Sequence, residues 1–324
     1  MIIVTGAAGF IGSNLVASLN ALGRKDIVVV DWLGSDQRWR NLAKRNFDDF
    51  VFPEDFGDFL KQASGKVEAI FHLGAISATT ATDGDEIIRK NVKPSMDVWR
   101  WCTKERVPLF YASSAATYGD GAFGFDDNNP IGDLRPLNLY GWSKQTFDTW
   151  ALTQAFEGKA PPRWAGFKFF NVYGPNEYHK DDMMSIVAKN FVRISNEEKV
   201  SLFKSHRPDY RDGEQLRDFV YVKDCCNVML WFLNKATESG IFNVGSSAAR
   251  SFHDLIQATG AAAQKPVHIE YVPMPEKIRD KYQYFTQASM DKIRAAGYDQ
   301  QFHSLESGVA DYVVNYLAKS DPYI

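Results

Sequence analysis

The sequence predicts an α/β protein: a doubly wound parallel sheet carrying a second, smaller α/β domain. Three observations predict it. The chain has 324 residues, enough for about two domains at roughly 150 residues each. Its first thirty residues spell an apolar strand, a glycine-rich turn, a helix and a second apolar strand. The same alternation of short apolar runs with helical patterns then continues toward residue 170, as successive parallel strands require.

Ile2-Ile3-Val4 is the first apolar run and leads into Thr5-Gly6-Ala7-Ala8-Gly9-Phe10-Ile11-Gly12. Ile11, Leu15, Leu19 and Leu22 recur at helical spacing, and Gly23 ends the pattern. Ile27 to Val30 forms the next strand, with Asp31 at its end. Gly6 permits a tight turn, Gly9 lets backbone approach a pyrophosphate, and Gly12 lets helix and strand pack closely. The helix N-terminus offers unpaired N–H groups and a positive dipole end to phosphate. An acid 19 residues after Gly12 stands where ribose hydroxyls need an acceptor. This is a Rossmann-type dinucleotide site, with glycines spaced G-x-x-G-x-x-G.

Val67 to Ala75 reads as a buried strand running into small residues, against which a flat nicotinamide or adenine ring can lie. A lone histidine in such a strand, His72, is expected to be a hydrogen-bonded core residue. Pro108 to Ala112 is another strand, ending at Ser113-Ser114-Ala115-Ala116-Thr117-Tyr118-Gly119, and strand C-termini of a parallel sheet are where ligands gather. Next, Tyr140-Gly141-Trp142-Ser143-Lys144 opens a helix whose apolar side carries Phe147, Trp150 and Ala151. The Y-x-x-x-K spacing stacks both side chains on one face. A neighbouring ammonium is expected to lower the tyrosine pKa from about 10, so that Tyr140 exchanges a proton with a substrate hydroxyl. Ser114 is expected to hydrogen-bond the same oxygen. Chance gives about one Y-x-x-x-K match in a chain with 14 tyrosines, so the signal lies in its place, 26 residues after Ser114 and downstream of a nucleotide fold.

Composition sets the outer limits. Hydrophobic residues make up 45% and charged residues 24%, which excludes a disordered chain. With 37 Lys+Arg against 40 Asp+Glu the net charge is −3, so no basic excess exists to neutralise a nucleic-acid backbone. The three cysteines, Cys102, Cys225 and Cys226, suit neither a disulfide framework nor metal-ligand spacing and are expected to be buried thiols. No apolar run approaches the ~20 residues that span a bilayer, and no basic n-region opens the chain, so a cytoplasmic protein without membrane contact is expected.

The segments Thr5–Gly12, Tyr111–Gly119, Tyr140–Lys144 and Phe169-Phe170-Asn171-Val172-Tyr173-Gly174-Pro175 resemble the sugar-nucleotide epimerases of the extended short-chain dehydrogenase/reductase superfamily. Within them, His179-Lys180, Arg217 to Val222, Ser239 to Asn243, Tyr282 to Ala288 and Ala295 to Tyr298 resemble the ADP-heptose 6-epimerase family of lipopolysaccharide heptose biosynthesis. The resemblance covers nearly the whole chain. It implies hydride removal from C6 of an ADP-heptose, a transient ketone, and hydride return to the opposite face. Tyr140 and Lys180 would serve as the two bases, with Ser114 and Lys144 completing the catalytic set. For the cofactor it implies Phe10, Ile11, Asp31, Trp32, Arg38, Gly74, Ala75, Ile76, Ser77, Ala78, Asn91 and Val172, beside the three glycines and Lys144. For the substrate it implies Asn171, Asp182, Lys189, Phe203, Arg217 and Tyr282, beside Ser114 and Lys180. No metal is implied, and relatives suggest a homo-oligomer, a homopentamer.

The sequence departs from that family at Trp32, where relatives commonly have Asn, and at Lys168, where they have Arg. Its stretch 205–214 is longer than expected and reads as a surface loop near the nucleotide end of the substrate site, where Arg207 or Arg211 could take over some phosphate contact from Arg217. Asp31 by itself favours NAD, but Arg38, seven residues later, matches a cation of NADP-binding relatives, so NADP is expected. The predicted division is 1–171 with 216–264 for the nucleotide domain, and 172–215 with 265–324 for the substrate domain. Val309, Val313, Val314 and Leu317 predict a terminal packing helix. Rival readings are a sugar-nucleotide 4-epimerase or 4,6-dehydratase, and a non-catalytic nucleotide-binding module. A dehydratase places an acid just after the catalytic serine, where this chain has Ala115 and Ala116.

Overall fold

A computed structural model describes residues 1–279 and 282–324. Seven parallel strands form the main sheet: β1 (Ile2–Thr5), β2 (Ile27–Val30), β3 (Asp49–Val51), β4 (Ala69–His72), β5 (Leu109–Ser114), β6 (Trp164–Phe169) and, later in the chain, β10 (Gly240–Val244). Their spatial order is β10-β6-β5-β4-β1-β2-β3. The order reverses beside β1, and a crevice at such a switch point is where doubly wound sheets take ligands. β1, β2 and β4 are buried along their whole length, which explains why β1 and β2 read as unbroken apolar runs rather than alternating ones.

Helices cover both faces. Leu15, Val16 and Leu19 of helix Phe10–Ala21 join Cys225, Cys226, Val228 and Met229 of helix Val222–Asn234 on one face. Val98, Trp99 and Cys102 of helix Lys93–Glu105 join Phe147 and Ala151 of helix Leu139–Phe156 on the other. All three cysteines are free and buried, as expected. Leu22 departs from the predicted stripe: the helix ends at Ala21, and Leu22 caps it with its side chain in solvent.

Among the described residues, five further strands lie outside the main sheet: β7 (Asn171–Tyr173), β8 (Lys199–Phe203), β9 (Leu216–Tyr221), β11 (Ala249–Ser251) and β12 (His268–Val272). β9 pairs parallel with β7 and antiparallel with β11, while β8 and β12 form a two-stranded parallel ribbon. Helix Phe252–Ala263, grouped by the sequence with the nucleotide domain, packs elsewhere. Its Leu255 and Ala258 meet Val187 of helix Ile186–Ser195 and Leu305 and Val309 of helix Leu305–Tyr312. In the terminal helix Val309 and Val313 are buried, but Val314 is exposed. The last turn, Val313–Leu317, is a π-turn, and its Leu317 packs partly buried against the same core, so of the predicted stripe Val314 alone leaves it.

Candidate active site

One cavity of about 1380 Å³ runs along the C-terminal edge of the sheet. It exceeds the ~300–1,000 Å³ of a usual small-molecule pocket, so a dinucleotide and a second ligand fit side by side. Gly6, Gly9, Phe10, Ile11 and Gly12 line one end. Gly6 has φ +67°, and a Cβ there would stand 2.6 Å from the backbone nitrogen of Gly74. A Cβ on Gly12 would run into the carbonyl of Gly6. Gly9 caps the first helix in extended conformation with no side chain on its N–H groups, leaving them for an anion. The glycine turn therefore forms the backbone cradle a pyrophosphate requires.

At that end Asp31 accepts N–H groups from Ala8 and Trp32, each at 2.8 Å. Burial raises its pKa, and those N–H groups and the Arg38 charge oppose the rise. Arg38 lines the cavity, bonded to Asp36 at 3.1 Å. The Trp32 indole donates to Glu54 at 2.9 Å and lies 3.9 Å beneath the Lys90 ammonium. Glu54 and Lys90 went unpredicted because only the fold brings them to Trp32; no local spacing announces them.

The small residues Gly74, Ala75, Ile76, Ser77 and Ala78 form the next wall. Asn91, expected to touch cofactor, does not line the cavity. Its side chain is bonded to both backbone groups of Ile76, at 2.8 and 3.0 Å, and to Ser143 at 3.1 Å. It fixes the wall from behind. His72 is the hydrogen-bonded histidine the sequence predicted, held between Thr5 (2.9 Å) and Ser95 (3.0 Å), with its pKa pushed down to about 3 by burial.

Ser114 ends β5, and Tyr140 opens helix Leu139–Phe156, which Asn138 caps by accepting the Gly141 N–H at 2.8 Å. Gly141 explains the small residue after the tyrosine: a Cβ there would lie 2.6 Å from the carbonyl of Ala116. That close approach brings Tyr140 to the Ser114 turn, where the Ser114 hydroxyl favours the phenolate. Lys144 lies one turn on, buried in the same wall. The expected lowering of the tyrosine pKa is not found in the chain alone. Burial raises it, against the Ser114 hydrogen bond, because a phenolate out of water is costly.

Burial also penalises the Lys144 cation, pushing its pKa down to about 8, while the charge of Asp148 opposes the fall. In cofactor-free protein, competitive acylation read by mass spectrometry should therefore find Lys144 half-reactive near pH 8, against about 10.4 for an ordinary lysine. A midpoint above pH 10 would contradict the burial argument.

Beneath these groups Asp148, fully buried, accepts from Ser113 (2.6 Å), Tyr111 (3.0 Å) and Lys168 (3.0 Å). Lys168 also donates to Thr117 at 2.6 Å, and Thr117 donates to the carbonyl of Ser114 at 2.8 Å. The departure at Lys168 is thus an internal ion pair that ties β5, β6, the Ser114 turn and the Tyr140 helix together.

Across the cavity, Lys180 sits on the turn Tyr178–Met183, its Nζ 5.1 Å from the Phe10 ring centre. Burial lowers its pKa, and the buried Glu177 opposes the fall. Asn171, Val172, Arg217 and Tyr282 complete the lining. Arg217 is 6% exposed and has no carboxylate partner among the described residues; its guanidinium packs 5.0 Å from Tyr282 and 5.6 Å from Phe252. Phe252 had no sequence signal, since it comes from a helix remote in the chain.

Three predicted substrate residues lie off the cavity wall. Phe203 packs edge-on behind Tyr282. Asp182 and Lys189 are exposed, with the Lys189 ammonium donating to the Asp182 carbonyl. The stretch 205–214 is a surface loop as expected, but neither Arg207 nor Arg211 lines the cavity. Arg207 pairs with Asp209 and stacks on Tyr210 and Tyr284. Among the described residues no cluster of His, Cys, Asp and Glu could hold a metal, and no helix is long and apolar enough to cross a membrane.

A glycine cradle at the switch point, with Ser at the end of β5 and Tyr and Lys on the helix beside it, defines the extended short-chain dehydrogenase/reductase class. Residues 2–245 match the NAD dependent epimerase/dehydratase family. The chain is 48% identical over its full length, and the relative's, to an ADP-L-glycero-D-manno-heptose-6-epimerase of Nitratidesulfovibrio vulgaris, and 45% identical, again over both full lengths, to one of Fusobacterium nucleatum. A crystal structure of the Helicobacter pylori ADP-L-glycero-D-manno-heptose-6-epimerase superposes with TM-score 0.81 at 27% identity, covering 98% of this chain and 96% of that one. The chain belongs to the NAD dependent epimerase/dehydratase family and, within it, to the ADP-L-glycero-D-manno-heptose-6-epimerases.

Proposed function

We propose that the protein interconverts ADP-D-glycero-β-D-manno-heptose and ADP-L-glycero-β-D-manno-heptose, inverting C6 in lipopolysaccharide heptose biosynthesis. The observation that carries this reading is full-length identity of 48% to an epimerase of that name. The cavity agrees, having a tyrosine with its serine on one wall and a lysine on another. Ala115 and Ala116 supply no acid for a dehydratase after Ser114.

Inversion of a carbinol centre needs proton exchange at the C6 oxygen from either face. Tyr140 takes or returns that proton on one side while Ser114 holds the oxygen, and the Lys144 cation favours the phenolate. Lys180 serves the opposite side, burial lowering its pKa so that more of it is the neutral amine free to take a proton. Arg217, a buried cation with aromatic walls, pairs with the substrate diphosphate, and Tyr282, Asn171 and Val172 bound the same space. A bound nicotinamide supplies the hydride acceptor and donor. The glycine turn, Asp31, the Gly74–Ala78 wall and Lys144 would hold it.

The finer reading of the cofactor is NADP. Arg38 and Lys90 bring two cations to the Asp31 end of the cavity, where a 2′-phosphate gives a guanidinium and an ammonium something to bind. We take the nucleotide part to comprise residues 1–171 and the region of β9, helix Val222–Asn234 and β10. The remainder, with helix Phe252–Ala263 counted there because of its packing, forms the substrate part. A cytoplasmic homo-oligomer goes with this reading.

One assay tests it. Incubated with ADP-D-glycero-β-D-manno-heptose, the purified protein should yield the L-glycero epimer without net cofactor turnover, and should release NADP on denaturation. No inversion at C6 would overturn the activity, and release of NAD alone would overturn the cofactor.

A further inference from the structure

Asn41 lies on the short turn Gln37–Leu42 and is 1% exposed. Its side-chain amide nitrogen stands 2.8 Å from the carbonyl of Ala8, 3.1 Å from the carbonyl of Asn176 and 3.2 Å from Nδ1 of His179. Ala8 belongs to the glycine turn. Asn176 and His179 bracket the start of the turn that carries Lys180. One amide therefore touches both pieces of chain that face each other across this end of the cavity. The His179 ring accepts at Nδ1 only as the neutral Nε2–H tautomer. Burial pushes its pKa down to about 4, helped by Arg38 and Lys180 and opposed by Asp36, so the acceptor is present throughout neutral pH.

A second set of contacts backs the same loop. The Asn176 side chain donates to Ser13 at 2.9 Å and accepts the backbone N–H of Ile324 at 3.1 Å. The Tyr178 hydroxyl donates to the carbonyl of Pro322 at 2.9 Å, and its ring meets Tyr323 edge-on at 5.1 Å. Lys44 pairs with Asp321 at 2.9 Å, and Arg45 donates to the Ile324 carbonyl at 3.0 Å. Residues 41–45 thus grip the Lys180 loop and the segment 321–324 behind it.

We propose that Asn41 is a positioning residue for Lys180, fastening its loop to the dinucleotide turn so that the ammonium stays over Phe10 inside the cavity. The proposal rests on the reading of Lys180 as the second base. A lysine on a four-carbon stem reaches one face of a substrate only if its backbone is held. A displacement of about 1 Å at a reacting group costs on the order of 100-fold in rate. Asn41 supplies the hold from the side of the glycine turn.

The test uses Asn41→Asp, which keeps the shape and removes both N–H donors. We expect kcat to fall on the order of 100-fold with KM changed by less than about threefold, the split that misplacement of a catalytic group produces. Added to Lys180→Met, Asn41→Asp should cause no further loss, because two changes acting through one group do not add. Tyr323→Ala should weaken activity in the same direction and covers the case in which Asn41→Asp fails to fold. Amide exchange of residues 176–184 should accelerate in Asn41→Asp and Tyr323→Ala but not in Lys180→Met. Unchanged kcat, multiplied losses with Lys180→Met, or unchanged exchange in Asn41→Asp would each overturn the proposal. A parent protein that leaves C6 untouched would instead overturn the functional reading, and the exchange measurement would then decide the fastening alone.

Discussion

Tyr140→Phe should reduce turnover by roughly 10²–10⁴-fold while leaving the fold intact, the range expected when a positioned acid/base group is lost. The phenol lies beside Ser114 in the wall of the cavity, with Lys144 one turn along the same helix. Phenylalanine keeps the ring, so the close approach at Gly141 survives and binding should change little. The measurement is epimer formation under saturating substrate, with thermal unfolding as control. Near-parental turnover would remove Tyr140 from the reaction.

Lys168→Met should be the most destabilising of the substitutions considered, by about 3–5 kcal/mol, because it strands a buried carboxylate. Lys168 and Asp148 are both less than 5% exposed and 3.0 Å apart. For a chain of this size the change corresponds to a Tm lower by roughly 4–7 °C. Adding Asp148→Asn should restore part of the loss, since the uncompensated charge disappears while Ser113 and Tyr111 keep a partner. Chemical denaturation of the single and double variants checks both statements. A single variant within about 0.5 kcal/mol of the parent would contradict the first.

The nucleotide half was legible because its signals are local. β1 and β2 are unbroken apolar runs because parallel strands are covered on both faces, and the glycine spacing reports a backbone contact between Gly6 and Gly12 six residues apart. Ser114, Tyr140 and Lys144 were legible as a set because one strand end and one helix turn carry them. Asn91 shows where sequence stops: family resemblance marks the residue, but only the structure reveals that its amide is bonded to Ile76 and Ser143. The exposure of Asp182 and Lys189 was not legible either, since their loop reaches the cavity through Lys180 while they are exposed. The tyrosine pKa went the wrong way because spacing reports a neighbouring cation but not desolvation. Asn41, Phe252 and Lys90 acquire their partners only through long-range packing, which no window of sequence contains.

The contact of Gly6 with both Gly12 and Gly74 bears on how such a protein can change over generations. A methyl group on Gly6 meets the Gly74 main chain, one on Gly12 meets Gly6, and one on Gly74 comes within 3.0 Å of the Gly6 nitrogen. No single replacement among the three is accommodated by a side chain stepping aside. The three positions therefore behave as one hereditary unit drawn from two distant stretches of chain. Variation in cofactor preference has to arise around them, at positions such as Trp32, Arg38 and Lys90, whose side chains can be exchanged without moving the backbone.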